Sequence, residues 1–314
     1  MTHTLASIAY QDNWQQILQA GFMRNAWWGG TIVALAAGLM GYFILIRNTA
    51  FAAHALAHIG LPGATGAVLF GLPAVVGLGV FCIGGALVIG ALGKRAADRD
   101  VATGTVLAFA TGLGLFFNSL ATRNSSTLTN VLFGNLLAIS NEQLLGFAAL
   151  LLVLTLGIAG IYRPLLFSSV NSAVAEAKGV PVRGLSIVFM VLLGVAVTMA
   201  VQAVGTLLLF ALVVTPAATA LMLTARPALA MGISASLGLA SVWAGLVVSA
   251  MFNLPPSFPI VTIACVMWAV VWAWHHVPRR RPASGSGGPA STNLGEHVQE
   301  SGAEAARDTG LTRR

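Results

Sequence analysis

Residues 27–46 read WWGGTIVALAAGLMGYFILI, and after Arg47-Asn-Thr-Ala50 residues 51–70 read FAAHALAHIGLPGATGAVLF. Each run is apolar over about 20 residues, enough for a helix to cross ~30 Å of hydrocarbon. The second run carries His54 and His58, so on a helix both imidazoles project from one face. Ionisable side chains at that depth are costly, and they mark a pathway, a relay or an ion site. Imidazole is also the commonest protein ligand of transition metals. A membrane helix that keeps two of them points to metal chemistry inside the bilayer.

Composition extends this reading to the whole chain. Hydrophobic residues make up 57% of the 314 and charged residues only 8%, against about 25% charged in a soluble domain. The chain is therefore a polytopic all-α membrane bundle. Its net charge of +7 raises the question of nucleic acid, but the bases punctuate apolar spans and form no patch, which is the positive-inside pattern. Nucleic acid is excluded as a partner. Cys82 and Cys265 stand apart in separate spans, so there is no disulfide framework and no Cys-x-x-Cys site.

Candidate spans lie at 27–46, 51–70, 73–93, 101–120, 143–161, 185–202, 204–224, 229–250 and 258–276, about nine in all, or eight if the sixth and seventh are one. Residues 131–140 add a half-length apolar piece suited to a re-entrant segment. The expected organisation is an interfacial segment at 1–26, a transmembrane domain at 27–276 and a disordered tail at 277–314, rich in Gly, Ser and Pro. Trp27 and Trp28 fit an interfacial belt. Arg47, Lys94–Arg99, the 163–183 loop, Arg226 and Arg279–Arg281 fall on one side of nine spans, and Arg24 and Arg123 on the other. The richer side is expected to be cytoplasmic, with the N-terminus outside and the C-terminus inside.

Two histidines do not complete a tetrahedral zinc site. Water, other spans or a second copy across a two-fold axis are the sources open for the rest. Neutral imidazoles bonded to backbone carbonyls are the plain structural alternative. A metalloprotease is excluded, because Ala55 stands where His-Glu-x-x-His needs its general base. Pro62, in Gly60-Leu-Pro-Gly63, and Pro216, in Thr215-Pro216, each free a backbone carbonyl and loosen a span. In the loop from 163 to 184, Ala173–Lys178 fits a short surface helix ended by Gly179, a natural dock for a soluble motor. No Gly-x-x-x-x-Gly-Lys-[Ser/Thr] occurs, and Gly90-Ala-Leu-Gly-Lys-Arg95 fails in spacing and in its last residue. The chain is expected to be no enzyme, and an ATP-driven process would need a partner ATPase.

Four stretches in order resemble the permease subunits of bacterial zinc and manganese ABC importers. Leu45-Ile-Arg47 with Phe51–His58 and Gly60–Gly63 resembles the family's Gly-Asp-Ala-x-x-His block. Leu132-Phe-Gly-Asn-Leu-Leu137 resembles its Leu-Phe-Gly-Asp-Leu-Leu segment. Val204-Gly-Thr through Thr215-Pro-Ala-Ala-Thr-Ala220 resembles its apolar motif, and Leu254-Pro-Pro-Ser257 the Pro-rich opening of the last span. The resemblance implies a homodimeric permease of the bacterial inner membrane, served by two cytoplasmic ABC ATPases and an extracytoplasmic metal-binding protein. It implies that the 163–184 loop holds the ATPase-coupling helix, at Ala173, Glu176, Lys178 and Gly179. It also places His54 and His58 on the translocation path, with Asn135 as a further candidate. The chain departs from the pattern where His54 and Asn135 replace acidic residues. Both changes leave a nitrogen-rich path, which favours Zn²⁺ over Mn²⁺ or Fe²⁺ as the transported ion. No permanently bound cofactor is expected.

Two other classes compete. A secondary carrier would use His54 and His58 as a proton relay and need no ATPase, but intramembrane carboxylates are scarce. A membrane scaffold would leave the pair incidental. Because ligation needs neutral imidazole, uptake is expected to weaken below the ordinary histidine pKa of about 6.5. An uptake rate unchanged down to about pH 5, measured with the binding protein saturated, would count against histidine ligation.

Overall fold

The structure, a computed structural model, describes residues 14–92, 96–120, 125–206 and 208–276. The expectations for residues 1–13 and for the tail from 277 lie outside these. The described residues form thirteen α-helices and one short 3-10 turn. In chain order the helices are α1 (Trp14–Gln19), α2 (Gly21–Ile46), α3 (Ala50–Leu69), α4 (Ala74–Leu92), α5 (Ala96–Leu120), α6 (Ser125–Phe133), α7 (Asn141–Val170), α8 (Ser172–Ala177), α9 (Val182–Val204), α10 (Leu209–Val213), α11 (Thr215–Leu223), α12 (Pro227–Phe252) and α13 (Ser257–His276).

Seven of these, α2, α4, α5, α7, α9, α12 and α13, are long and apolar enough to cross a membrane. Helix α3 has 20 residues, the length of a span, but its two histidines dilute its apolar character. The span expected at 204–224 is not one helix. Helix α9 ends at Val204, Gly205 turns with φ 82°, and the chain resumes as α10 and α11 with a second break at Val214. Pro216 lies in the first turn of α11, where its missing amide costs nothing. The nine expected helices thus become seven long apolar ones, one histidine-bearing helix of similar length and one interrupted pass.

Two boundaries also move. Helix α2 begins at Gly21 rather than near residue 27, and Trp27 lies half-buried edge-on to Trp243, at 5.5 Å between centroids. Trp28 alone faces out, at 59% exposure. Helix α7 runs for 30 residues, about 45 Å, so it overshoots the hydrocarbon and carries residues 163–170 as helix rather than loop. A Ser140–Gln143 capping box starts it.

The core lies where α2 and α9 meet α3, α4, α7 and α12. Small residues set the closest approaches. The backbones of α3 and α4 touch at Gly63 and Gly77, where a Cβ on either would strike the other's carbonyl. Helices α5, α7 and α13 turn large apolar side chains outward, among them Phe109, Leu145, Leu156 and Trp274. On a membrane protein such faces meet lipid rather than mark a defect.

The half-length segment near 131–140 is α6, a break at Gly134 with φ 73°, and a 3-10 turn at Leu136–Ala138. Its break sits against the break after α9. The amide of Asn135 donates to Gln202 O at 3.2 Å, and that of Thr206 to Val131 O at 2.9 Å. Gly134 and Gly205 stack backbone on backbone, leaving no room for a Cβ on either. Alanine at Gly205 must therefore take positive φ and displace a carbonyl. Gly205→Ala should cost about 1–3 kcal/mol and lower the melting temperature of the purified protein in detergent. Gly146→Ala, where nothing lies near the added Cβ, should stay within about 1 kcal/mol of wild type. Equal melting temperatures for the two variants would refute the close contact.

Candidate functional site

Helix α3 is buried nearly all round. Fourteen of its side chains and glycines, from Ala52 to Ala67, are buried. Along the body of the helix the covering opens on Phe51, His54 and His58, which are three and four residues apart and so form one stripe. The small residues on the other faces admit α4, α5 and α9 closely, and the two imidazoles occupy the side those neighbours leave open.

The rings of His54 and His58 lie 4.8 Å apart between centroids at 75°. Two imidazoles bound by nitrogen to one tetrahedral Zn²⁺, at ~2.0–2.1 Å per bond, have centroids roughly 5 Å apart. The spacing of the pair is compatible with both rings sharing one ion. His54 also stands edge-on to Phe210 of α10, at 6.1 Å and 90°, which brings the interrupted pass against the pair. Among the described residues, His54 Nδ1 is buried with no hydrogen-bond partner. A buried polar atom of that kind calls for an explanation, and a ligand or an ordered water supplies one.

Pro62 has no amide to offer the carbonyl of His58 four residues back, yet α3 continues through it unbroken. Thr65 Oγ1 donates within the same helix to Leu61 O at 3.0 Å and Pro62 O at 3.4 Å. Among the described residues no group of three or more His, Cys, Asp or Glu side chains could hold a metal. Two imidazoles make an incomplete shell. That suits an ion that must leave again, since passage requires weak or shared sites.

Asn135 is not brought to the pair. It is exposed at the Gly134 break and lines a cavity of about 210 Å³ with Asn130, Gln143 and Gln202. Gln202 donates to Thr198 O at 3.2 Å, and its Oε1 is buried without a partner among the described residues. This is an amide-lined cavity next to the crossing of α6 and α9. Gln202 was visible in the sequence only as a polar interruption of an apolar run.

At the other end of the bundle, α8 spans Ser172–Ala177. Asn171 caps it by accepting from Val174 N at 3.0 Å, and Gly179 at φ 82° turns the chain toward α9. Ala173, Glu176, Lys178 and Gly179 are all exposed, and Ala175 anchors the helix from beneath. In the sequence Arg47 stood out only as a basic residue and as part of the Leu45-Ile-Arg47 stretch, with no contact implied. Its guanidinium reaches Ser168 and Ser169 at the end of α7 and Ser186 at the start of α9.

A bundle of apolar helices with one interrupted pass, a polar stripe on a buried helix and a short exposed helix at one end is the membrane part of a transporter. Residues 19–275 match the ABC 3 transport family, and the chain belongs to that family. The expected likeness to metal ABC importer permeases is met. The manganese transport system membrane protein MntC of Listeria innocua is 32% identical over 258 residues, 82% of this chain and 91% of that protein. The manganese import system permease protein ScaB of Streptococcus parasanguinis is 29% identical over 80% of this chain and 90% of its own. Among solved structures, PsaBC from Streptococcus pneumoniae in complex with Fab superposes with a TM-score of 0.74 at 29% identity. The match covers 83% of this chain and 94% of that one.

Proposed function

We propose that the chain is the permease of an ATP-driven importer of divalent transition-metal ions, acting as a pair of identical chains in the bacterial inner membrane. The ion passes along the Phe51–His54–His58 stripe. The observation that carries this reading is the stripe itself: two imidazoles at ion-sharing distance on the one open side of an otherwise buried helix. A stripe left open in one chain suits a path completed by water and by a second copy. The exposed α8 suits attachment of a cytoplasmic ABC ATPase, with Ala173, Glu176, Lys178 and Gly179 at the contact. A metal-binding protein delivers the ion from outside, and the distribution of basic residues in the sequence supports a cytoplasmic C-terminus.

For the cargo, donor chemistry favours zinc. The pair supplies imidazole where a carboxylate would suit a harder ion. Manganese is the second reading, because the relatives at about 30% identity carry manganese in their names. Asn135 takes no part in the first coordination step on this reading, since it lies at the α6–α9 crossing. A proton-coupled carrier is separated by collapsing the proton gradient, which stops a carrier and leaves an ATP-driven importer running.

The test is the zinc and manganese content of metal-limited cells expressing wild type, His58→Ala or His54→Asp at equal levels. His58→Ala should lower zinc accumulation at least about tenfold. His54→Asp should keep uptake and shift it toward manganese. Loss of manganese alone in His58→Ala would move the cargo to manganese. Wild-type levels of both metals in His58→Ala would make the pair structural and defeat the proposal.

A further inference from the structure

Arg47 follows the last residue of α2, and its side chain turns back across the ends of two other helices. Nη1 donates to Ser168 Oγ and Ser169 Oγ, both at 3.2 Å, and Nη2 to Ser186 Oγ at 3.3 Å. The guanidinium also lies over the ring of Phe189, 5.2 Å from its centroid. Ser168 and Ser169 belong to the last turn of α7, Ser186 and Phe189 to the first two turns of α9. Between those helices the chain makes its excursion through α8. One planar side chain therefore clasps both roots of α8 at once.

The serines are themselves oriented. Ser168 and Ser169 each donate to Leu165 O, at 3.0 and 2.6 Å, so their lone pairs are presented to the guanidinium. On the other side, Arg47 is rigidly joined to α3. The amide of Arg47 bonds Phe43 O, that of Asn48 bonds Leu45 O and that of Thr49 bonds Ile44 O, while Thr49 Oγ1 bonds Ile44 O as well. Asn48 takes positive φ, 52°, to close this corner. Helix α3 starts at Ala50, and His54 stands seven residues beyond Arg47. A displacement of α8 reaches the guanidinium through α7 and α9, and a displacement of the guanidinium turns the corner that carries the histidines.

The clasp has room to move. A cavity of about 390 Å³ opens beside it, lined by Arg47, Ser168, Glu176, Arg183 and Ser186 among others. Glu176 and Arg183 bring charge from α8 and α9 to the same space, so a shift of α8 alters the electrostatic surroundings of the guanidinium as well as its hydrogen bonds. Guanidinium geometry matters here. Its fork donates to two helices from one plane and stacks on an aromatic ring, which an ammonium cannot do.

We propose that Arg47 is a positioning residue that couples α8 to α3, so that ATPase movement at α8 is converted into a change at the histidine stripe. This rests on the reading of α8 as the ATPase dock. The clasp is not a ligand for metal and not a contact with the ATPase; it is the joint between them.

The test uses the full importer, permease with ATPase and binding protein, in proteoliposomes. Metal taken up and ATP hydrolysed are measured together. Arg47→Lys keeps the charge and loses the fork, and Ser168→Ala, Ser169→Ala and Ser186→Ala together remove its serine acceptors from both helices while sparing Arg47. Metal moved per ATP should fall at least about fivefold in both, with ATP hydrolysis retained. A merely structural role would lower uptake and hydrolysis in proportion to the folded protein and leave their ratio alone. An unchanged ratio in the serine variant, with the complex assembled, would overturn the proposal. The underlying reading is checked separately by Ala173→Asp, which should release the ATPase from the purified complex. Were the ATPase to stay bound, the docking role of α8 would fail. Were it released while the Arg47 and serine variants kept a wild-type ratio, only the coupling role would fail.

Discussion

Hydrocarbon offers no hydrogen bonds, so a chain that interrupts a helix within the bilayer must find partners for the amides and carbonyls it frees. This constraint shapes the centre of the molecule. The break after α9 and the break after α6 are placed against each other, and the amides of Asn135 and Thr206 cross to carbonyls of the opposite segment. Only glycine permits this, because both turns have positive φ and the two backbones meet without a side chain between them. With those groups satisfied, the stretch from Gly205 to Val214 can depart from helix and lay Phe210 against His54. Broken helices of this kind are how membrane transporters bring irregular backbone to a polar site at depth.

The second constraint is space around α3. Its sequence is mostly alanine and glycine on the sides facing α4, α5 and α9, so those helices come close and cover it. Large side chains there would push the neighbours away and wet the helix. Covering three sides leaves one, and His54 and His58 occupy it. Their position follows from packing as much as from chemistry: an imidazole placed at Ala55 or Ala57 would be sealed among apolar groups, with its nitrogens unable to reach water, a partner or an ion.

Much of this was readable in the sequence, for identifiable reasons. Long apolar runs and sparse charge settle a membrane bundle, because hydropathy and length are local properties. The spacing of His54 and His58 gives their shared face directly. The break after Val204 was visible only faintly, as Gly205 in an apolar run, and its cause is the partner break at Gly134 some seventy residues earlier in the chain. Helix α7 overran its expected end because Arg163 and Pro164 look like a loop start, whereas a proline outside the bilayer needs no membrane partner and the helix carries on to Val170. Asn135 entered as a further candidate on the path by its place in a family motif, and the fold sets it in a cavity with Gln202. The role of Arg47 was hidden entirely. Its three serine acceptors lie more than a hundred residues away, and single serines in apolar helices carry no signal.

Depth along α3 links these parts. His54 is about 6 Å and His58 about 12 Å from the start of the helix at the Arg47 corner. The two ends are built differently. At the crossing the contacts are backbone to backbone, and they cannot slide without breaking main-chain hydrogen bonds between segments that two glycines hold in close contact. At the corner the contacts are side-chain hydrogen bonds beside an open polar cavity, where water can replace a lost partner. On the proposed coupling, movement enters at the end that carries α8, where side-chain hydrogen bonds can be exchanged, and the backbone crossing is the firmer of the two ends.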